Sequence, residues 1–110
     1  MVKQGDIIMI SFDPVHGSEQ AGYRPAVVVS NDLVISKTNI VNICPITSRN
    51  SKSALNVLLD EHTATKGSVL CAHNRAVDLK ARRYKIVERL PKHKLNEIID
   101  KLVNMITPYP

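Results

Sequence analysis

One arginine begins an apolar segment directly after a polar loop. Arg24 is followed by Pro25 and the apolar run AVVV. The loop before it contains several polar side chains: His16, Ser18, Glu19 and Gln20. A guanidinium keeps its charge and presents five N–H donors in a planar fork, which suits a phosphate group. Pro25 restricts the backbone, so the arginine side chain starts from a fixed place. A weak surface salt bridge between Arg24 and Glu19 would account for the same residues.

Hydroxyl groups close a second apolar segment. Thr47 and Ser48 end the sequence CPITS, and Arg49 follows them. Hydroxyls at such a position can donate hydrogen bonds to phosphate oxygens. Ordinary turn formation at the end of a strand is the alternative interpretation, above all for Ser48.

A third apolar segment has polar residues inside it. In the sequence AHNRAVD we expect His73 and Arg75 to share one face of a strand, alternating with Asn74. Polar groups within an otherwise apolar strand are costly unless they are hydrogen-bonded or used in binding. The alternative is a sheet with one face in water.

The segments that would position these residues have the pattern of short strands. Both faces of the first predicted strand, residues 6–12, are apolar, so we expect other elements to cover it on both sides. A loop over 13–23 and a mobile loop over 48–53 separate strands, and 31–39 is predicted as a turn region with a short irregular piece. We predict a short helical turn over 79–84. The predicted strands cover 6–12, 24–30, 40–48, 54–61, 68–78 and 85–90.

The last segment has the spacing of an amphipathic helix. Pro91 suits the first helical position, and apolar residues then recur every three or four positions until Thr107-Pro108 ends the pattern. Five or six short strands followed by one helix predict a mainly β (α+β) fold, a small barrel whose open side the helix covers. The length of 110 residues indicates a single domain over 1–110 with a modest core, for which a homodimer is expected.

Charge and cysteine content restrict the partners. Fifteen Lys and Arg against ten Asp and Glu give a net charge of +5, which favours a polyanionic partner such as nucleic acid or an acidic protein. No segment has the pattern of a signal peptide or the length of a membrane span, so we expect a cytoplasmic protein. Cys44 and Cys71 lie in apolar runs and are expected to be buried free thiols. With His73 they lack the paired spacing of a zinc site, so no metal or other cofactor is predicted.

Three segments carry a family resemblance. GDIIMISFDPVHGSEQAGYRPAVVVSN, CPITS and GSVLCAHNRAVD resemble, in the right order, the three blocks of the MazF/PemK family of toxin endoribonucleases. The resemblance runs from Gly5 to the final helix, and its most specific part is G-S-E-Q-x-G-x-R-P before an apolar strand. It implies an SH3-like β-barrel of five to seven strands with a C-terminal helix, forming a homodimer. It also implies metal-independent, sequence-specific cleavage of single-stranded RNA, and neutralisation by a cognate antitoxin with an acidic, partly disordered C-terminal segment.

The resemblance also implies catalytic residues. By position, the catalytic arginine is Arg24, the catalytic threonine is Thr47, and the loop glutamate tied to activity is Glu19. The third block departs from the family, because Ala72 and His73 stand where an acidic residue and a glutamine are usual. A substrate contact made by that pair is therefore not inherited, and His73 would add an ionisable group near the site.

Metal-free RNA cleavage uses the neighbouring 2′-hydroxyl as nucleophile and leaves a 2′,3′-cyclic phosphate and a 5′-hydroxyl end. Arg24 is suited to stabilising the developing charge, with proton donation to the leaving group as a second role, whereas its high pKa makes it a poor base. Thr47 would hold a non-bridging oxygen. The general base stays open among Glu19, His16 and His73, of which the histidines suit proton transfer near neutral pH.

Further side chains would bind the RNA. Phosphates would be contacted along a groove by Arg49, Lys52, Arg75, Arg82 and Arg83. Unstacked bases would be met by Ser18, Gln20, Asn50 and Asn74, with Ser48 and His73 beside them. Tyr23 is either a stacking surface for a base or an anchor of its own loop.

Two other functions fit the same residues less well. A toxin of the same fold could bind and inhibit a protein target such as DNA gyrase without cleaving RNA, because fold alone does not decide function. A non-catalytic nucleic-acid-binding module would bind RNA and leave it intact. Neither needs the pairing of Arg24 with Thr47.

Overall fold

The computed structural model describes residues 1–12 and 22–110. Within them the chain forms strands and helices whose bounds, in chain order, are β1 (Asp6–Ser11), β2 (Tyr23–Val28), α1 (Asp32–Thr38), β3 (Ile40–Thr47), β4 (Asn56–Leu58), β5 (Ser68–Leu70), β6 (Arg75–Asp78), β7 (Tyr84–Arg89) and α2 (Lys92–Ile106). Short 3₁₀ turns follow β5 and β6, at Cys71–His73 and Leu79–Ala81. The second of these is the helical turn predicted over 79–84.

The strands form one antiparallel sheet in the order β4-β5-β3-β2-β1-β7. Strand β3 is long enough to pair with β2 on one side and with two strands in succession on the other: its first half pairs with β6 and its end with β5. In the described part of the chain the sheet curves without closing, so β4 and β7 lie at its two ends. The predicted mainly β fold with a C-terminal helix is confirmed, as a sheet that is roughly barrel-like and open.

Apolar cores cover both faces of the sheet. On one face Ile7, Val27 and Cys44 pack in a cluster with Ile98 of α2. On the other face Ile8, Ala26 and Ile43 are the neighbours of Ile35 from α1. Because alternate residues of a strand point to opposite faces, consecutive apolar residues in β1 and β2 serve both cores in turn. The prediction that the first strand is covered on both sides is therefore confirmed.

Helix α1 stands where a turn with a short irregular piece was predicted. Its start is capped by Asn31, whose Oδ1 accepts a hydrogen bond from the backbone N–H of Val34 at 2.9 Å. Its end is closed by Asn39 in the left-handed region, with a φ of 60°. Only Ile35 of this helix is buried, so seven residues give no amphipathic repeat for sequence analysis to detect. Because a helix of seven residues is too short to be stable alone, the two caps contribute much of its stability.

The strand predicted over 68–78 is wrong as a single element. It consists of β5, the 3₁₀ turn Cys71–His73 and β6, and the break moves the chain from the end of β3 to its beginning. Asn74 stabilises the turn, because its side-chain Nδ2 donates to the carbonyl of Cys71 at 2.8 Å. His73 and Arg75 are consequently not neighbours on one strand face, as predicted, but belong to two elements. The strand predicted over 54–61 is likewise shorter, since Asp60 and the residues after it form a turn.

Helix α2 packs its apolar stripe on the first core. Leu95, Ile98, Ile99 and Leu102 contact that core together with Met105. Pro91 is the N-cap residue, one position before the helix that it was predicted to begin. Lys101 fixes the helix against the segment before β4, because its Nζ donates to the carbonyl of Ala54 at 2.9 Å. Among the described residues, no helix has the length and apolar character that crossing a membrane requires.

Candidate functional site

Arg24 and Thr47 lie near the ends of two adjacent strands, β2 and β3. The ladder between these strands pairs Val28 with Ile43 and ends at Ala26 with Pro45. The same register, if continued by two residues, would bring Arg24 opposite Thr47. Residues two apart on a strand share a face, so both side chains leave the sheet on the face of the Ala26 core. The predicted chemistry requires this juxtaposition, and Thr47 is not among the described residues that line the groove around Arg24.

Arg24 lines an open groove of about 370 Å³. The apolar part of its wall is formed by Phe12, Pro45 and Leu70. The remainder includes Arg24 with two residues from beyond β5, His73 and Arg75. All three of these side chains are exposed. Two fixed positive charges and an imidazole around an apolar wall suit a ligand that carries both a phosphate and a flat ring.

The position of Arg75 is set by an aromatic ring. Its guanidinium carbon lies 5.5 Å from the centroid of the Phe12 ring, in the range of a cation–π contact. The backbone N–H of Phe12 in turn donates to the carbonyl of Gly22 at 2.8 Å, at the base of the polar loop. The Arg75 charge is therefore held where β1 ends and the loop begins.

Arg82, predicted to contact phosphates, is bound within the protein. Its Nη1 donates to the carbonyl of Ser11 at 3.0 Å and also to the carbonyl of Phe12. These bonds satisfy carbonyls at the end of β1 and keep Phe12 in place. We therefore assign Arg82 to the support of the groove rather than to its surface. Arg83, the next residue, is exposed, and its guanidinium carbon lies 5.5 Å from the centroid of the Tyr23 ring.

The half-buried Thr47 has its hydroxyl in a local hydrogen bond that leaves a hydrogen to donate. Its Oγ1 accepts from the backbone N–H of Arg49 at 3.4 Å. Accepting uses an oxygen lone pair, so the O–H hydrogen can still point to a ligand oxygen.

Gly67 lies directly behind Thr47 and was missed by the sequence analysis. Its φ is +117°, a conformation that glycine adopts far more readily than other residues. A Cβ built on Gly67 would lie 1.8 Å from the backbone oxygen of Thr47. The only sequence signal is a glycine immediately before a strand, which is too common to indicate a site. Its role depends on a contact with a residue 20 positions away.

Ser48 and Arg49 are exposed, at the start of the segment predicted as a mobile loop. This segment is tethered at its base by the buried Ser68. The Oγ of Ser68 donates to the carbonyl of Arg49 at 2.9 Å and accepts from the backbone N–H of Ser51 at the same distance. Loop 48–53 is thus held to β5, beside the end of β3.

The other predicted binding residues differ in how free they are. His73 faces the groove from its 3₁₀ turn, whereas the side-chain amide of Asn74 is bonded to that turn. Tyr23 is half-buried with Arg83 on its ring, and both of its predicted roles stay open. Four predicted residues lie outside the described residues, and their roles stay predictions: His16, Ser18, Glu19 and Gln20.

The cysteines are buried free thiols, as predicted. A hydrogen bond with Cys71, followed by burial, raises the pKa of the Cys44 thiol far above its ordinary value. A buried, protonated thiol is neither a nucleophile nor a metal ligand. Cys44 therefore belongs to the core and not to the chemistry of the groove.

Known proteins resemble the chain in sequence and in fold. A family model described as PemK-like, MazF-like toxin of type II toxin–antitoxin systems matches residues 3–106. Endoribonuclease PemK of Escherichia coli is 33% identical over 110 residues, which cover 96% of this chain and 83% of that protein. The crystal structure of MazF from Deinococcus radiodurans superposes with a TM-score of 0.82 at 32% identity, over 96% of both chains. A MazE–MazF complex from the same organism gives a TM-score of 0.83 at 30% identity, over 96% of this chain and 95% of that one.

Proposed function

The chain belongs to the PemK-like, MazF-like family of toxins of type II toxin–antitoxin systems, and on this premise we propose that it cleaves single-stranded mRNA at a short sequence without a metal ion. Its relatives are named endoribonucleases, and the chain is an RNA-cleaving enzyme of that family. Cleavage of mRNA would take place in the cytoplasm. Nothing among the relatives reported above favours the alternative of a gyrase-binding toxin.

The observation that carries the proposal is the cationic groove that Arg24 lines with His73 and Arg75, with Pro45 of β3 in its wall. The register of β2 and β3, continued by two residues beyond the pair Ala26–Pro45, supports a position of Thr47 beside Arg24. A scissile phosphate in this groove would meet a permanent charge and a hydroxyl donor from one face of the sheet. A protein that only binds a folded partner has no need of this combination.

In the proposed reaction the 2′-hydroxyl oxygen attacks the adjacent phosphorus. The bond between this oxygen and phosphorus forms, and the bond between phosphorus and the 5′-oxygen of the next nucleotide breaks. The 2′-hydroxyl loses its proton to a base, and the leaving 5′-oxygen gains one. The products are a 2′,3′-cyclic phosphate and a 5′-hydroxyl end, so the atoms balance without water or metal.

Arg24 and Thr47 would act on the charge that develops in this step. The guanidinium of Arg24 would bind the phosphoryl oxygens as their negative charge increases, and assisting protonation of the leaving oxygen would be its second role. The hydroxyl of Thr47 donates to a non-bridging oxygen. Removing one such preorganised donor commonly costs about a hundred- to a thousandfold in rate.

The proton acceptor is proposed from the groove and the loop. His73 lines the groove with Arg24, and an imidazole can accept and donate protons at physiological pH. Glu19 is the glutamate that the family resemblance links to activity. We assign proton transfer to His73 or Glu19, with Glu19 also able to order the loop or orient Arg24.

RNA binding would spread outward from this groove. Exposed cations that can contact successive phosphates are Arg49, Lys52, Arg75 and Arg83. Base recognition would fall to Ser18, Gln20, Ser48, Asn50 and Asn74, with Tyr23 as a stacking surface. Since Asn74 uses its amide N–H within the turn, we expect its Oδ1 to be the atom that meets a base.

The protein partner is an antitoxin, as in the MazE–MazF complex to which the chain is similar. We extend this to an antitoxin whose acidic C-terminal segment competes with RNA for Arg24, Arg75 and the cations around them. We also propose a homodimer. Ile86 and Val87 support it, because both are almost half exposed on the end strand β7.

One assay tests the function. Purified protein free of antitoxin is incubated with a long single-stranded RNA in EDTA, beside the variants Arg24→Ala, Thr47→Ala and Lys3→Ala. Lys3 is exposed at the opposite end of β1, so its variant removes one positive charge without touching the groove. We expect fragments with defined ends from wild type and Lys3→Ala, and loss of at least a hundredfold in the other two. Intact RNA with the wild type would favour the gyrase-binding or the non-catalytic alternative.

A further inference from the structure

Two imidazoles and a carboxylate converge where the β4–β5 loop meets helix α2. Asp60 and His62 belong to this loop, and His93 is in the first turn of the helix. One possible metal-binding atom from each of the three lies within 4.8 Å of the others. His62 Nδ1 is 2.9 Å from Asp60 Oδ1, and the two imidazole rings meet edge to face with centroids 5.4 Å apart. None of these residues lines the groove described above.

The loop that supplies two of these groups is fixed by other contacts. Lys66 Nζ donates to the carbonyls of Asp60 and Thr63, at 3.2 and 2.9 Å. The carboxylate of Glu88 on β7 accepts from the backbone N–H groups of Ala64 and Thr65, at 3.0 and 2.7 Å. Asp60 and His93 are 33 positions apart in sequence. The three side chains therefore meet because the β4–β5 loop packs against helix α2. A ligand would find them largely in place.

Charged side chains of both signs surround the Asp60 carboxylate. Lys94 Nζ lies 3.6 Å from Asp60 Oδ2 and 3.3 Å from Glu97 Oε2. The other oxygen, Oδ1, faces His62. Glu61 Oε2 lies 4.0 Å from His62 Nδ1 and adds a further oxygen on that side. An ion between Oδ1 and the imidazoles would leave Oδ2 to Lys94.

We propose that Asp60, His62 and His93 bind a divalent transition-metal ion, with Zn²⁺ as the best fit. Two imidazole nitrogens with one carboxylate oxygen form a donor set that Zn²⁺ accepts, whereas Mg²⁺ and Ca²⁺ prefer oxygen throughout. With metal–ligand bonds of about 2.0–2.1 Å, tetrahedral donors stand about 3.4 Å apart, so donors now up to 4.8 Å apart must approach by up to about 1.4 Å. If Asp60 Oδ1 and His62 Nδ1 are both ligands, they must separate slightly from their present 2.9 Å. The His62 side chain is 54% exposed and is free to make this adjustment. Glu61 or a water molecule completes the tetrahedron.

The ion would tie the β4–β5 loop to helix α2 and take no part in RNA cleavage. It would stabilise the folded chain, because binding to the folded form alone raises the free energy of unfolding. The inference does not depend on the proposed nuclease function, and either can fail without the other.

Binding is measured directly on the full chain. Metal-free protein is titrated with Zn²⁺ by calorimetry and, in a separate experiment, with Co²⁺, whose visible absorption reports nitrogen and oxygen ligands in a tetrahedral site. The variants are His62→Gln, His93→Gln and Asp60→Asn, and His73→Gln is the matched control because it removes an exposed histidine outside the cluster. Circular dichroism verifies that each variant is folded, and thermal unfolding is followed with Zn²⁺ and with Mg²⁺.

We expect one Zn²⁺ per chain with micromolar affinity in wild type and His73→Gln, and a rise of several degrees in Tm with Zn²⁺ but not with Mg²⁺. Each cluster variant should lose at least about tenfold in affinity, since even outer-shell partners of a metal are worth about ten- to a hundredfold. Absence of binding, or equal binding by the folded double variant His62→Gln/His93→Gln, overturns the proposal. A wild-type Co²⁺ complex without tetrahedral absorption overturns the assigned ligand set.

Discussion

Gly67 shows how a residue without a side chain can let two backbone segments approach closely. The carbonyl of Thr47 lies where a Cβ of residue 67 would be, so β3 can reach this position only beside a glycine. Sequence analysis proposed Arg24 and Thr47 because an arginine and a threonine at strand ends can bind phosphates and because both match catalytic positions of the family that the chain resembles. It missed Gly67, because the need for glycine there arises from a contact between two strands.

The first prediction compares two glycines. Both Gly67 and Gly5 have positive φ, so alanine at either should cost about 1–3 kcal/mol in backbone strain, and the overlap with the Thr47 backbone should add to this cost at Gly67. At Gly5 the new Cβ meets only the end of the flexible Leu95 side chain, at 3.3 Å, whereas at Gly67 it meets the backbone of Thr47. We expect Gly67→Ala to lose about a hundredfold in cleavage rate, as for a misplacement of about 1 Å, and Gly5→Ala to keep nearly all of it. Urea unfolding and cleavage rates, compared where both variants are folded, provide the test, and equal cleavage by the two variants would contradict it.

At the scale of elements, the strands were easier to predict than the pieces between them. β1, β2 and β3 have apolar residues on both faces, which gives long apolar runs that can be identified without any partner. Helix α1 buries a single residue, so its caps and not its pattern determine it. The prediction of one strand over 68–78 was wrong because the chain turns at Cys71–His73, so that β5 pairs with the end of β3 and β6 with its beginning. This pairing depends on the position of β3, which the local sequence does not contain.

The second prediction concerns the contact that ties the β4–β5 loop to β7. Burial acts to raise the pKa of Glu88, but hydrogen bonds from the hydroxyl and backbone N–H of Thr65 and from the N–H of Ala64 outweigh it, so the pKa lies below the ordinary 4.5. A carboxyl whose pKa is lower in the folded than in the unfolded chain stabilises the fold above its unfolded pKa. This contribution is lost as the pH falls through the folded value.

Glu88→Gln should therefore be less stable than wild type at neutral pH, and the difference should shrink well below pH 4.5. Urea unfolding of both proteins at the two pH values measures it. Glu61→Gln is the control, because the Glu61 side chain is 84% exposed. A difference between wild type and Glu88→Gln that does not change with pH would show that the carboxylate is not what holds the loop.

At the scale of the whole molecule, charge and sheet topology act together. The net charge of +5 predicted a polyanionic partner, and the sheet brings the exposed Arg24 of β2 and Arg75 of β6 to one groove. Composition could not predict which cations would be exposed. Arg82 is used within the fold, whereas Arg75 lines the groove.

The third prediction measures this use of charge. RNA binding is followed against salt concentration in a Thr47→Ala background, so that the RNA stays intact. Each phosphate contact with a single strand contributes about 0.7 to the slope of log affinity against log salt. Arg75→Ala should therefore reduce the slope by about 0.7, and Lys3→Ala should leave it unchanged. The same slope in both variants would remove Arg75 from the binding surface.

The most direct test of the account concerns the nucleophile. A short RNA that the protein cleaves at one defined bond is compared with the same RNA carrying a 2′-O-methyl group on the nucleotide just before that bond. The account predicts that the methylated RNA binds but is not cut, while the unmodified RNA yields a 2′,3′-cyclic phosphate and a 5′-hydroxyl end by mass spectrometry. Cleavage of the methylated RNA at that bond would contradict it, because the attacking oxygen would then come from elsewhere.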